Sequence, residues 1–297
     1  GTGPAENVQD PEWKGHPAPN WDFAARLARG TYLFKLDDDD VILPGFLTRC
    51  VDFLEAHPGA ACVYTAHAIV DMQTGTRQEL VDRVFFGDIR TAGSAPGSAL
   101  TVDGARYTLG VLVNEGGYPV NHKTIGVCRR SCAERIDFYR LAAEDFAMSA
   151  ALGLTGDIGY IPEVLYEYRM HGANAMTTDL SRVWRFSRHA LDGMEKLEAG
   201  LQHPQLGPRW LDILDRCRQA LPLFYLYRAL RDQSRAAAWR LWGKLRSAKA
   251  MESEWKGWCL LLGGTLTPAF VRTGMFEAYR SSAALRRSFG RILGIKP

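Results

Sequence analysis

No apolar run in the 297 residues is long enough to span a bilayer: the longest, Trp258 to Val271, is interrupted by Gly263, Gly264 and Pro268. Cysteine is sparse and scattered. Cys50, Cys62, Cys128, Cys132, Cys217 and Cys259 form no CxxC pair, and Cys128 and Cys132 have no second pair or flanking histidine to complete a tetrahedral set. A zinc ribbon and a disulfide scaffold are thereby excluded, and a reducing, cytoplasmic setting is expected. Fixed-period repeats and low-complexity tracts are also missing. What is present, 46% hydrophobic and 23% charged residues, is the composition of a folded globular chain of one or two domains.

Charge is divided unevenly. Residues 1–180 hold 15 Lys and Arg against 24 Asp and Glu, whereas residues 181–297 hold 21 against 9. The acidic part suits a divalent cation and the basic part an anionic partner.

Gly1 to Pro19, rich in Gly, Pro and polar residues, reads as a loop or a cut end. Trp21 to Ala28 has helical spacing with Gly30 as its stop, Thr31 to Leu36 is a β-rich run, and Asp37-Asp38-Asp39-Asp40 follows. Pro44 opens a helix over Gly45 to Ala56, ended by His57-Pro58-Gly59. Strands are expected at Ala60 to Val70, Thr124 to Cys128 and Val164 to Tyr168, a further one at Val81 to Phe86 within a long functional loop from Asp71 to Ser98, and a helix at Ala142 to Leu152. Beyond about Thr178 the pattern turns helical: Leu180 to Leu201, Pro208 to Leu221, Leu223 to Lys249 and Phe276 to Ile295. The implied organisation is a loop over 1–19, an α/β domain over 20–177 and a basic helical region over 178–297.

Four successive carboxylates repel one another unless water or a cation neutralises them. Most such runs are solvated turns. Here they close an apolar strand, and the carboxyl ends of strands are where open α/β sheets bind ligands. Hard oxygen donors of this kind select Mg²⁺ or Mn²⁺, which typically retains water and substrate phosphate oxygens as further ligands.

The segment Asn20 to Pro44 resembles the centre of family 2 glycosyltransferases of the GT-A fold. Ala28-Arg29-Gly30-Thr31-Tyr32 matches the family's Ala-x-Gly-x-Tyr, Leu36-Asp37-Asp38-Asp39-Asp40 its Leu-Asp-x-Asp-Asp, and Pro44 its following proline. Glu144-Asp145 is similar to the acidic pair that supplies the family's base. Val164 to Asn174, with Tyr168-Arg169-Met170-His171, resembles its late strand and Tyr-Arg-x-His segment. The resemblance covers about Asn20 to Thr177. It implies a Rossmann-like mixed sheet flanked by helices, with a C-terminal helical region outside it.

By resemblance, Asp39 binds the metal and Asp37 the ribose or the metal's water shell. Asp40 supports them, and Asp38 fills the variable place on the nucleotide-sugar side. His171 joins the metal set, Arg169 faces the diphosphate, and Asn174 lies on the same wall. Asp145 is the general base, with Glu144 as alternative, and His122 falls where the family builds acceptor contacts. Each has a plainer reading: an acid at a helix start is favoured by the macrodipole, and a single histidine after a strand is commonly structural. It is the series Asp37, Asp39, Asp145, His171 in the family's order that favours the functional one.

One departure stands out. The family's opening Pro-Thr-Tyr-Asn-like and Asp-Asp-Gly-Ser segments are missing, and the residues before Asn20 leave no room for two βα units of roughly 30 residues each. The sheet is therefore expected to be incomplete at its N-terminus.

The basic tail interleaves Arg228, Arg231, Arg235, Arg240, Lys244, Arg246 and Lys249 with Leu223, Phe224, Leu226, Leu230, Trp239, Leu241, Trp242 and Leu245. Two readings stand: docking on the anionic inner face of the cell membrane near a lipid-linked acceptor, or a bundle whose cations face water. Nucleic acid is not implied, since no binding motif accompanies the charge. The resulting expectation is an inverting, metal-dependent transfer of a sugar from a nucleotide-diphosphate donor to a hydroxyl on a glycan or glycolipid. Its rivals are an inactive binding or scaffold domain and a nucleotidyltransferase, although the Gly-rich, Lys/Arg-containing loop of the latter is missing.

Overall fold

The computed structural model describes residues 24–81, 98–113, 126–136, 145–171, 180–230 and 235–248. Its centre is a seven-stranded mixed sheet: β1 Tyr32–Leu33, β2 Val41–Ile42, β3 Ala60–Asp71, β4 Arg77–Leu80, β5 Leu100–Val102, β6 Val127–Arg129 and β7 Asp157–Met170. The order is β1-β6-β3-β7-β2, with β4 on β3 and β5 on β7. β3 and β7 run parallel through the middle and every other pairing is antiparallel. This mixed sheet with helices on both faces is the architecture of a GT-A fold.

The two central strands are buried on both faces at their amino ends. The run Ala60 to Tyr64 is therefore continuously apolar rather than alternating. Alternate residues serve opposite layers. Val63, Val127, Ile161 and Leu165 pack under helix α1, Phe46–Ala56, whose Phe46, Cys50, Phe53 and Leu54 form one buried stripe. Cys62, Tyr64, Cys128, Ile158 and Tyr160 face the other layer. Gly45 precedes α1 at φ 87°, a left-handed conformation that favours glycine. Gly159 brings β7 against the Phe53 ring, where a Cβ would overlap it. In β7, Pro162 and Glu163 bulge out between the pairings Thr65–Ile161 and Ala66–Val164, because proline lacks the N–H the ladder needs. Arg49 of α1 ion-pairs with the Glu163 so displaced.

The second layer begins with α2 Gly104–Val113, α3 Arg130–Arg135 and α4 Asp145–Leu152. It continues through α5 Leu180–Glu195, α6 Glu198–Leu201, a short 3₁₀ turn, α7 Trp210–Arg228 and α8 Arg235–Ser247. One hydrophobic cluster runs from Tyr64 and Ile158 through Leu112 and Met148 to Leu191, Leu214 and Trp242. The helices beyond residue 178 thus share a core with the sheet. In α8, Leu241, Trp242 and Leu245 are buried in this bundle, while Arg235, Arg240, Lys244 and Arg246 are exposed. Among the described residues no helix is long and apolar enough to cross a membrane.

Several expected boundaries move. The helix break at Pro222 does not occur: α7 continues through it, because Cys217, Leu221, Tyr225 and Leu226 keep one side buried and offset the lost hydrogen bond. The strand at Thr31 to Leu36 is paired only over Tyr32–Leu33, where short β6 can reach it. The Asp71 to Ser98 loop contains β4, earlier than the expected Val81 to Phe86, most of which lies outside the described residues. β7 is far longer than Val164 to Tyr168. The expected helix Phe276 to Ile295 lies outside the described residues.

Candidate functional site

β1 pairs with β6 and β2 with the far end of β7, so the acidic run lies in the crossing between two short strands. Phe34 and Ile42, partly buried, hold the ends of the crossing on the α1-side cluster. Asp40 donates its N–H to the Asp37 carbonyl at 3.2 Å, folding the aspartates into a turn. Their side chains then diverge in environment: Asp38 is exposed, Asp37 and Asp39 are partly exposed, and Asp40 is buried.

Asp40 is held at both carboxylate oxygens. Tyr166 donates its hydroxyl to Oδ2, and Arg169 donates its backbone N–H to Oδ1 at 2.8 Å. Burial pushes the Asp40 carboxyl above its ordinary range, and the two donors oppose that shift. The register Val41–Glu167 and Ile42–Tyr166 brings these donors to it.

His171, just past the end of β7, places Nε2 2.8 Å from Asp39 Oδ2. An ionised carboxylate only accepts, so Nε2 carries the proton in this pair. Lys35 Nζ lies 3.0 Å from Asp37 Oδ1, two positions further along the chain after β1. The structure thus brings together Asp39, Asp40, His171 and the backbone of Arg169, with Asp37 paired to Lys35. Asp145 is the first residue of α4. Glu144, His122 and Asn174 lie outside the described residues.

Among the described residues no group of three or more His, Cys, Asp or Glu could hold a metal ion, so Asp37, Asp39 and His171 do not close a three-ligand set. Asp37 is turned to Lys35 instead. The remaining pair does suit a cation. With the Nε2 proton released, the imidazole lone pair and the Asp39 carboxylate would offer two donors, and Mg²⁺ characteristically takes one or two protein ligands, water and phosphate oxygens.

The thiols of the described residues lie in the core. Cys50, Cys62, Cys128, Cys132 and Cys217 are buried and form no disulfide, and desolvation pushes Cys50, Cys128 and Cys217 up to about 12. Lys35 and Tyr166 were absent from the residues singled out in sequence. The signal for Lys35 was its two-residue spacing from Asp37; none in the sequence paired Tyr166 with Asp40.

The sequence profile of Glycosyl transferase family 2 matches residues 10–131, a stretch that includes the acidic turn, α1, β3 and β6. Over that stretch the chain is similar to family 2 glycosyltransferases. A protein of Sinorhizobium fredii, the uncharacterized y4gI, is 36% identical over 66 residues, which make up 22% of this chain and 7% of that protein. The chain therefore spans a small part of that relative's length. The crystal structure of S. aureus TarS 1-349 aligns over 93% of this chain and 72% of its own, with 13% identity and a TM-score of 0.43.

Proposed function

We propose that this chain is a glycosyltransferase that moves a sugar, with inversion, from a nucleotide-diphosphate donor to a hydroxyl of a glycan or glycolipid, with Mn²⁺ or Mg²⁺ as cofactor. The observation that carries this reading is the pairing of Asp39 with His171 at 2.8 Å. These residues come from two separate segments, each of which resembles a motif of the same family.

In this reading Asp39 and His171 would hold the cation, His171 through Nε2 after that nitrogen gives up the proton it shares with Asp39, and Asp37 lies beside them. Bound there, the cation supplies positive charge against the leaving diphosphate. Arg169 adds charge on the same side and Asp38 lies toward the donor. Asp145, at the amino end of α4 where the macrodipole favours a carboxylate, takes the proton of the acceptor hydroxyl; Glu144 is the alternative. The acceptor oxygen forms the bond to the anomeric carbon as the bond to the diphosphate breaks, and the diphosphate leaves with the electron pair. The exposed cations of α8, Arg235, Arg240, Lys244 and Arg246, are read as the charge that meets an anionic, lipid-linked acceptor.

Isothermal titration of UDP, GDP and dTDP with and without Mn²⁺ tests the donor side. Binding by one of them that requires Mn²⁺ and disappears in Asp39→Ala is the expected result. Absence of metal-dependent binding to all three would instead favour a scaffold domain.

A further inference from the structure

We infer that Tyr166 is a positioning residue for this site, acting through Asp40; the inference rests on the proposed reading of Asp39 and His171 as the cation-holding pair. Asp40 and Tyr166 are both buried, at 7% and 1% exposure, so neither reaches donor or acceptor directly. Their contact nevertheless joins the two segments that must meet. A single carboxylate takes the Tyr166 hydroxyl at one oxygen and the Arg169 N–H at the other. These donors lie three residues apart on β7, and His171 is two residues beyond the second. Asp39 immediately precedes Asp40. Fixing both Asp40 oxygens therefore fixes the orientation of the acidic turn relative to the end of β7, and with it the Asp39–His171 spacing. With one donor removed, the carboxylate pivots about the Arg169 bond.

The test pairs Tyr166→Phe with Tyr64→Phe, which deletes another buried hydroxyl, bonded to Ser149 at 2.8 Å, away from the acidic turn. Two readouts are taken on each folded variant: the His171 Nε2 resonance by NMR, and the affinity for Mn²⁺ alone by electron paramagnetic resonance. Tyr166→Phe is expected to move the Nε2 resonance toward that of a solvated imidazole and to weaken Mn²⁺ by about tenfold. Tyr64→Phe is expected to leave both at wild-type values. Asp40→Asn keeps the volume and both contacts, with Tyr166 accepting from the amide, and is expected to retain the Nε2 signal. An unchanged resonance in Tyr166→Phe, an equal change in Tyr64→Phe, or loss of the signal in Asp40→Asn would each overturn the inference. Wild-type protein that binds no Mn²⁺ sinks the cation reading instead, while the resonance still decides the role of Tyr166.

Discussion

His171 Nε2 stands 2.8 Å from Asp39 Oδ2 although 132 positions separate the two residues. Both are about one-third exposed, so the pair is open to water. Replacing either with alanine is expected to weaken Mn²⁺ binding on the order of tenfold or more while changing stability by about 0.5 kcal/mol or less. Titration of Mn²⁺ alongside thermal melts checks both numbers. A variant that binds Mn²⁺ like wild type would remove that residue from the cation set.

Gly159 and Phe53 make a separate prediction about how α1 is seated on the sheet. A methyl at 159 meets the Phe53 ring, so Gly159→Ala is expected to destabilise by about 1–3 kcal/mol. Phe53→Ala alone costs about 3–5 kcal/mol. Because the smaller side chain makes room for the methyl, the double variant should be destabilised by less than the sum. Additive losses in urea unfolding would show that the ring and the strand do not constrain each other.

The shared core predicts cooperative behaviour. Leu112 of α2 and Leu214 of α7 are both fully buried in one cluster. Leu112→Ala and Leu214→Ala should each cost about 2–5 kcal/mol and shift the same single thermal transition. If Leu214→Ala instead splits the melt, with the sheet's transition unmoved, the helices after residue 178 unfold as a unit of their own.

The legible parts of the fold are those whose pattern is long compared with its period. α1 repeats its apolar stripe at 46, 50, 53 and 54, and β3 carries an unbroken apolar opening, so both were expected within about a residue of where they form. β2 and β5 have two and three residues, too few for any periodicity, and exist because β7 offers them edges. Pro222 misled the reading of α7 because local propensity yields to burial on both sides of it. At the site, the aspartates, Arg169 and His171 were readable as residue types in order. The bond from Tyr166 to Asp40 was not, since it depends on strand register across 126 positions.

Asp71 offers a pH test remote from the acidic turn in sequence. At the end of β3 its carboxylate accepts the backbone N–H groups of Gln73 at 2.8 Å and Thr74 at 3.0 Å, closing the turn into β4. These bonds favour the ionised form and hold the group below its ordinary value of 3.8, chiefly through Thr74 and then Gln73. A depressed folded-state value means that the contribution is fully present above 3.8 and is lost as pH falls through the folded value. The melting-temperature gap between wild type and Asp71→Ala should therefore be constant from neutral pH down to about 5 and narrow below the ordinary carboxylate value. A gap that stays constant through the acid range would mean that the turn is held by its backbone alone, through the Gly75 N–H to the Asp71 carbonyl at 2.8 Å.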